Sequence, residues 1–178
     1  MWQIPVKALS GFIVLLGSAV SSVGQFSGEF TIPKDTLITL ERVALFDCPV
    51  CVPQPNYNLT ISADGTVIFK GNKHVKVVGE AKGKISEKEL RGLLIEFDRV
   101  NYFSLHERYE WKNDGCPVYI TDRPFVYTSI QISGRKKAIS HYYGCVEDKD
   151  DRYIIFQQQL FNLEKKIDEV VNTKQWID

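Results

Sequence analysis

Charge of one sign is missing from this 178-residue chain: 22 lysines and arginines are matched by 22 aspartates and glutamates. A nucleic-acid footprint needs a basic excess, so no nucleic-acid partner is indicated. Long apolar runs are missing too. The stretch from Ala8 to Val20 is broken by Ser10, Gly11 and Gly17, whereas a membrane-spanning helix wants about 20 apolar residues. Histidine is scarce. His74, His106 and His141 stand in no H-x-x-H or H-E-x-x-H spacing. No G-x-S-x-G, P-loop or Rossmann glycine pattern occurs. The sequence therefore implies no cofactor and no metal, and offers no motif that names a reaction. Its 44% hydrophobic and 25% charged residues are ordinary for a globular protein with a core.

What is present starts with a leader. Lys7 precedes the short apolar run, and Ser18, Ala19, Ser21, Ser22 and Gly24 supply small side chains after it. That is the pattern of a secretory signal peptide, assigned to residues 1–24. Residues 25–35 read as a lead-in segment and 36–178 as a single domain. The expected location is secreted or periplasmic, with no stable membrane span after cleavage. The alternative is anchoring by an uncleaved N-terminal segment.

Export changes how Cys48, Cys51, Cys116 and Cys145 are read, because oxidising compartments favour disulfides. Cys48 and Cys51 form a C-x-x-C pair, but Val52-Pro53-Gln54-Pro55-Asn56 follows. No helix can start there to lower a thiol pKa, as redox catalysis requires. A Cys₄ zinc site would want a second close pair, and Cys116 and Cys145 lie far apart in sequence. Disulfides remain. The favoured pairing joins the first two cysteines to the last two, each link adding roughly 2–4 kcal/mol. A Cys48–Cys51 bridge with Cys116–Cys145 is the competing pattern.

The periodicities define an α+β chain. TLITLERVALF, from Thr36, is strand-like. Around Ala63-Asp64-Gly65, only a three-residue loop sets Val67 opposite Ile61 and Phe69 opposite Leu59, with Gly65 in the left-handed position. Gly71-Asn72 reads as a turn before a strand carrying Val75, Val77, Gly79 and Ala81 on one side. Ser86 and Glu89 form a capping box for a helix with Leu90, Leu93, Leu94, Phe97 and Val100 in its stripe. Residues 106–124 read as a long loop. A second hairpin turns at Gly134-Arg135, pairing Ile130 with Ile139, Thr128 with His141 and Val126 with Tyr143. The last helix is expected from Asp150 or Asp151, with Tyr153, Phe156, Leu160, Leu163, Ile167 and Val170 buried. The expected fold is an antiparallel sheet of about six strands (β-β-β-β-α-β-β-α) with two helices packed on one face.

Two surfaces carry functional expectations. Tyr109, Trp111, Tyr119, Phe125 and Tyr127 cluster around the 106–127 segment, where a protein or small-ligand partner would bind if they are exposed. His141 falls on the apolar face of its hairpin. The first functional reading is an exported, disulfide-containing binding or structural domain without catalysis. One alternative is a small exported hydrolase-like enzyme using His141 with a carboxylate such as Asp122. A second is a thiol oxidoreductase acting through Cys48 and Cys51. Asn58-Leu59-Thr60 is also a glycosylation sequon.

The chain resembles a family of small domains known as a domain of unknown function, family 6438. The likeness rests on Ile38-Thr39-Leu40-Glu41-Arg42, Cys48-Pro49, the run from Tyr57 through Asp64-Gly65 to Gly71, and Tyr102-Phe103-Ser104-Leu105. It continues in Ile120-Thr121-Asp122, His141-Tyr142-Tyr143-Gly144 and Trp176-Ile177. Such proteins usually look like C-x-G-x-C-P-x-Y where this chain has Phe46-Asp47-Cys48-Pro49 and then Cys51. No role tied to that cysteine pair carries over. The resemblance implies the α+β architecture and brings no catalytic residues.

Overall fold

The computed structural model describes residues 31–44, 53–149 and 152–178. The strands are β1 (Leu37–Val43), β2 (Asn56–Ser62), β3 (Thr66–Lys73), β4 (Gly79–Lys84), β5 (Arg108–Tyr109), β6 (Val118–Tyr119), β7 (Phe125–Ile132), β8 (Arg135–Tyr142), β9 (Cys145–Lys149) and β10 (Arg152–Ile155). The helices are α1 (Glu87–Arg99), α2 (Gln158–Val171) and the short α3 (Lys174–Ile177). The protein is α+β, but the expected six-stranded antiparallel sheet is corrected. A 7-stranded sheet runs β4-β3-β2-β1-β7-β8-β5, and a 3-stranded sheet runs β10-β9-β6. The larger sheet is mixed, because β5 lies parallel to β8.

The β2–β3 hairpin has the expected register. Leu59 faces Phe69 and Ile61 faces Val67. Gly65 takes φ +81° and donates its N–H to the Ser62 carbonyl. Any larger residue there would set its Cβ 2.3 Å from the Ile85 carbonyl oxygen. Gly71, expected in a turn, instead lies inside β3, which continues to Lys73 and pairs Gly71 with Gly79. Val75 and Val77 precede β4 rather than belong to it, and pack against the core.

The β7–β8 hairpin differs from expectation. Its register sets Ile130 opposite Lys137, Thr128 opposite Ile139 and Val126 opposite His141. The loop is Ser133-Gly134, with φ +50° and +73°, as a type I′ turn requires. Asp35 selects it: one carboxylate oxygen accepts from Ser133 N–H at 3.0 Å and the other from Gly134 N–H at 2.6 Å. The register moves by two residues, so every side chain keeps its face. Hydrophobic alternation cannot tell the two registers apart.

Ser86 caps α1 through the expected reciprocal bonds with Glu89. Of the acidic run 147–151, read as a helix start, Glu147, Asp148 and Lys149 instead lie in β9, Asp150 and Asp151 lie outside the described residues, and α2 begins later at Gln158. The inward face of the large sheet carries Ile38, Leu40, Leu59, Ile61, Val67, Phe69, Val126, Ile130 and Ile139. These share one core with Leu90, Leu93 and Phe97 of α1 and Leu160, Leu163 and Ile167 of α2. Trp176 closes it by stacking on Phe69 with centroids 4.9 Å apart. Both long helices cover this one face.

Candidate functional site

The strands of β7 and β8 present two distinct clusters, one on each face. The inward cluster grows from a single row of Cα partners, Tyr57–Arg42–Val126–His141–Tyr109. α2 lays Glu164 and Asp168 against it. His141 and Glu164 are both 0% exposed. The His141 Nδ1 sits 3.2 and 3.1 Å from the two Glu164 oxygens, and Nε2 sits 3.0 Å from the Phe156 carbonyl oxygen. A carbonyl cannot donate, so Nε2 carries a hydrogen and Nδ1 faces the carboxylate. Tyr143 donates to Glu164 at 2.9 Å. Arg42 pairs with Asp168 at 2.6 Å and donates to the Tyr143 hydroxyl at 3.0 Å. Tyr57 donates to the other Asp168 oxygen.

Every charge in this cluster meets an opposite charge or a hydrogen-bond partner, as burial demands. Burial alone would lower the Arg42 pKa, but Asp168 and the phenols of Tyr143 and Tyr57 outweigh it and raise it. Burial first, and then a neighbouring carboxylate, raises the Tyr57, Tyr102 and Tyr143 phenols. The carboxylate beside His141 is Glu164, while Asp122 lies in the 106–124 segment and approaches Tyr142 instead. The sequence reading missed Glu164, Arg42 and Asp168. Glu164 did leave a signal: it stands at helical spacing between Leu160 and Ile167, a carboxylate inside an apolar stripe.

The outward cluster is aromatic. Ring centroids run from Trp111 to Tyr119 (5.0 Å), Tyr119 to Tyr142 (5.0 Å), Tyr142 to Phe125 (4.5 Å) and Phe125 to Tyr127 (6.0 Å). Trp111 is 50% exposed, and Tyr119 and Tyr127 are each 39% exposed. Four of the five aromatics singled out from the sequence therefore line one strip. Tyr109 does not: it is buried on the inward side, where its hydroxyl accepts the His106 N–H. Tyr142 takes its place at the centre of the strip. Burial raises its pKa to about 12, and its hydroxyl donates to the Ile120 carbonyl at 2.8 Å.

The segment expected as a long loop is thus tied down. β5 joins the large sheet, β6 joins β9, and Ile120 N–H donates to the Gly144 carbonyl. Gly144 is required there, since a Cβ would come within 2.1 Å of the Ile120 carbonyl oxygen. A disulfide joins Cys116 to Cys145 with Cα atoms 5.3 Å apart. That bond corrects the favoured pairing of Cys48 and Cys51 with these two residues. The physical reason is proximity: the β6–β9 pairing sets Tyr119 opposite Cys145, which brings the nearby Cys116 within reach. Cys48 and Cys51 themselves lie outside the described residues, as does the turn between β9 and β10.

Beside the strip runs an outward row of Cα partners, Glu41–Tyr127–Ser140–Arg108. Arg108 pairs with Asp114 at 3.2 Å. Ser140 is 9% exposed, and its Oγ is buried. The Tyr127 hydroxyl lies beside it, and that contact lowers the Tyr127 pKa. Burial first, and then Glu110, outweigh that contact and raise the Tyr127 pKa, with a smaller push from Glu41. Among the described residues, no group of three or more His, Cys, Asp or Glu side chains could hold a metal ion.

Fold and site define an α+β domain with one sheet face sealed by helices and the other carrying an exposed aromatic strip. The chain belongs to the family described as a domain of unknown function, DUF6438, whose model matches residues 51–171. A search of curated proteins returned no match.

Proposed function

We propose that residues 36–178 form an exported, non-catalytic binding domain whose recognition surface is the aromatic strip from Trp111 to Tyr127. The observation that carries this reading is the contrast in exposure. Trp111, Tyr119 and Tyr127 are open to solvent, while His141, which meets the Glu164 carboxylate, is sealed. General acid–base work requires contact with substrate, and nothing can reach His141 without unfolding its cover. Stacked exposed aromatics are the residue types that dominate recognition surfaces. The disulfide tying the Trp111–Tyr119 segment to β9 supplies the rigidity such a surface needs. The leader pattern and that disulfide support export, and no described helix is long and apolar enough to cross a membrane.

Two experiments test this reading. Mass spectrometry of the native protein without reductant is expected to find a mature N-terminus near residue 25 and a Cys116–Cys145 peptide. An intact leader with freely alkylated thiols would overturn export. Hydrogen-exchange mapping against panels of oligosaccharides and short peptides is expected to place ligand protection on residues 108–127 and to lose it in Trp111→Ala. Hydrolysis of any panel member that disappears in a folded His141→Asn variant would replace binding with catalysis.

A further inference from the structure

The large sheet ends at β4, and among the described residues no strand lies on its far side. The direction of its backbone groups follows from the ladder. Ile85 N–H donates to the Gly65 carbonyl at 2.9 Å, and these two residues continue the β3–β4 register without a shift. Hydrogen-bonded positions alternate along an antiparallel pair. Gly83 and Ala81 therefore turn their N–H and C=O groups to β3, while Lys84, Lys82 and Glu80 turn theirs to the open side. The edge is held in place from the core side. Trp176 packs on Gly83, 3.0 Å from where a Cβ would stand. A strand seated in this way is preorganised for a partner.

The same hairpin carries a strong local charge. Residues 66–84 contain five lysines and one glutamate, and the rest of the chain carries the balancing acidic excess. Lys82 and Lys84 stand two residues apart and so share a face. Their side chains are 73% and 63% exposed. Lys82 meets Glu80 at 3.9 Å and Lys84 meets Asp64 at 3.4 Å. Exposed pairs of this kind hold little energy and yield to a better partner. Glu80 in turn lies opposite Lys70.

Charge and backbone together narrow the occupant. A second copy would bring two hairpins of like net charge together, which opposes association. A polyanion without amide groups would meet the lysines but leave the outward carbonyls unpaired. An extended acidic segment answers both. Its backbone pairs with the outward N–H and C=O groups, and carboxylates at alternate positions fall opposite Lys82 and Lys84.

We propose that the β4 edge takes up an extended acidic segment of a partner protein as an added strand. The edge lies at the far end of the strand order from β8, so this surface does not rest on the reading of the aromatic strip.

The test is amide hydrogen exchange by NMR on the disulfide-intact mature chain with the blocked peptide Ac-Thr-Glu-Val-Glu-Val-Glu-Thr-NH₂ at low salt, where screening is weak. Comparators are the same peptide N-methylated along its backbone, the peptide with lysine for glutamate, and tripolyphosphate. Exchange at Glu80, Lys82 and Lys84 is expected to slow by about tenfold or more at saturating acidic peptide. Ala81 and Gly83 are expected to stay as they were, because they already bond to β3. Lys82→Glu/Lys84→Glu is expected to bind the acidic peptide about tenfold more weakly and to bind the lysine peptide in its place, which a misfolded variant could not do. Equal binding of the N-methylated peptide or of tripolyphosphate would overturn strand addition. Slowed exchange at these amides that grows with protein concentration before any peptide is added would overturn the partner segment in favour of a second copy. No slowing with the acidic peptide would overturn the proposal outright and leave the lysines as guards of the edge.

Discussion

His141 and Tyr142 are neighbours in β8, yet they belong to opposite kinds of chemistry. His141 enters a cluster in which each polar group is partnered and either buried or half-buried. Tyr142 anchors a strip that ends in exposed rings. The pairing of histidine with carboxylate is the more familiar sign of catalysis, but here it performs a structural task. It fastens α2 to the sheet at the row where Arg42 and Asp168 do the same. The difference teaches that residue type alone does not mark a site. Saturation of hydrogen bonds and access to solvent decide between scaffold and surface.

The sharpest way to break this comparison is to remove one partner from the inward cluster. Glu164→Ala leaves His141, Tyr143 and Thr128 facing a void, and is expected to cost about 3–5 kcal/mol in chemical denaturation. A loss below about 1 kcal/mol would mean that the cluster is not a structural clamp.

The disulfide comes next. Replacing Cys116 and Cys145 together with serine opens a loop with a sequence separation of 29. The expected loss is about 3 kcal/mol, with the exposed Trp111–Tyr119 stack becoming mobile by fluorescence anisotropy. Retained anisotropy would show that the β5 and β6 pairings hold the strip without the bond.

The smallest effect concerns the far end of the β7–β8 hairpin. The backbone N–H of Gly134, followed by that of Ser133, holds the Asp35 pKa below its ordinary 3.8. A depressed carboxylate stabilises the folded state above its unfolded pKa, and the contribution fades as pH falls through the folded value. Amide exchange at Ser133 and Gly134 is therefore expected to be slow at neutral pH and to lose its protection in the acid range below 3.8. Asp35→Asn is expected to show that loss at every pH. Unchanged protection in that variant would remove Asp35 as the selector of the turn.

Much of this architecture was legible in the residues. The β2–β3 hairpin was readable because only one register gathers Leu59, Ile61, Val67 and Phe69 on a face, and Gly65 supplies the left-handed turn. The capping box of α1 is purely local and was equally plain. The β7–β8 register was not, because a two-residue slip changes no face, and the deciding carboxylate, Asp35, lies about a hundred residues away in sequence. The acidic run 147–151 suits a helix N-terminus, yet Glu147–Lys149 pair as a strand, which the charges alone do not reveal. In the 106–124 segment the short strands owe their order to pairing with β8 and β9 and to the disulfide, none of which periodicity can reveal. The aromatic strip was visible as a cluster, but the exchange of Tyr109 for Tyr142 depended on which face each strand presents.

One paired measurement on Trp111→Ala tests the division of labour most directly: unfolding free energy by denaturation, and affinity for the panel member that protects residues 108–127. The account predicts stability within about 1 kcal/mol of the parent and affinity reduced by about tenfold or more. A variant that binds as the parent does, or that loses most of its stability, would contradict the assignment of this face to recognition.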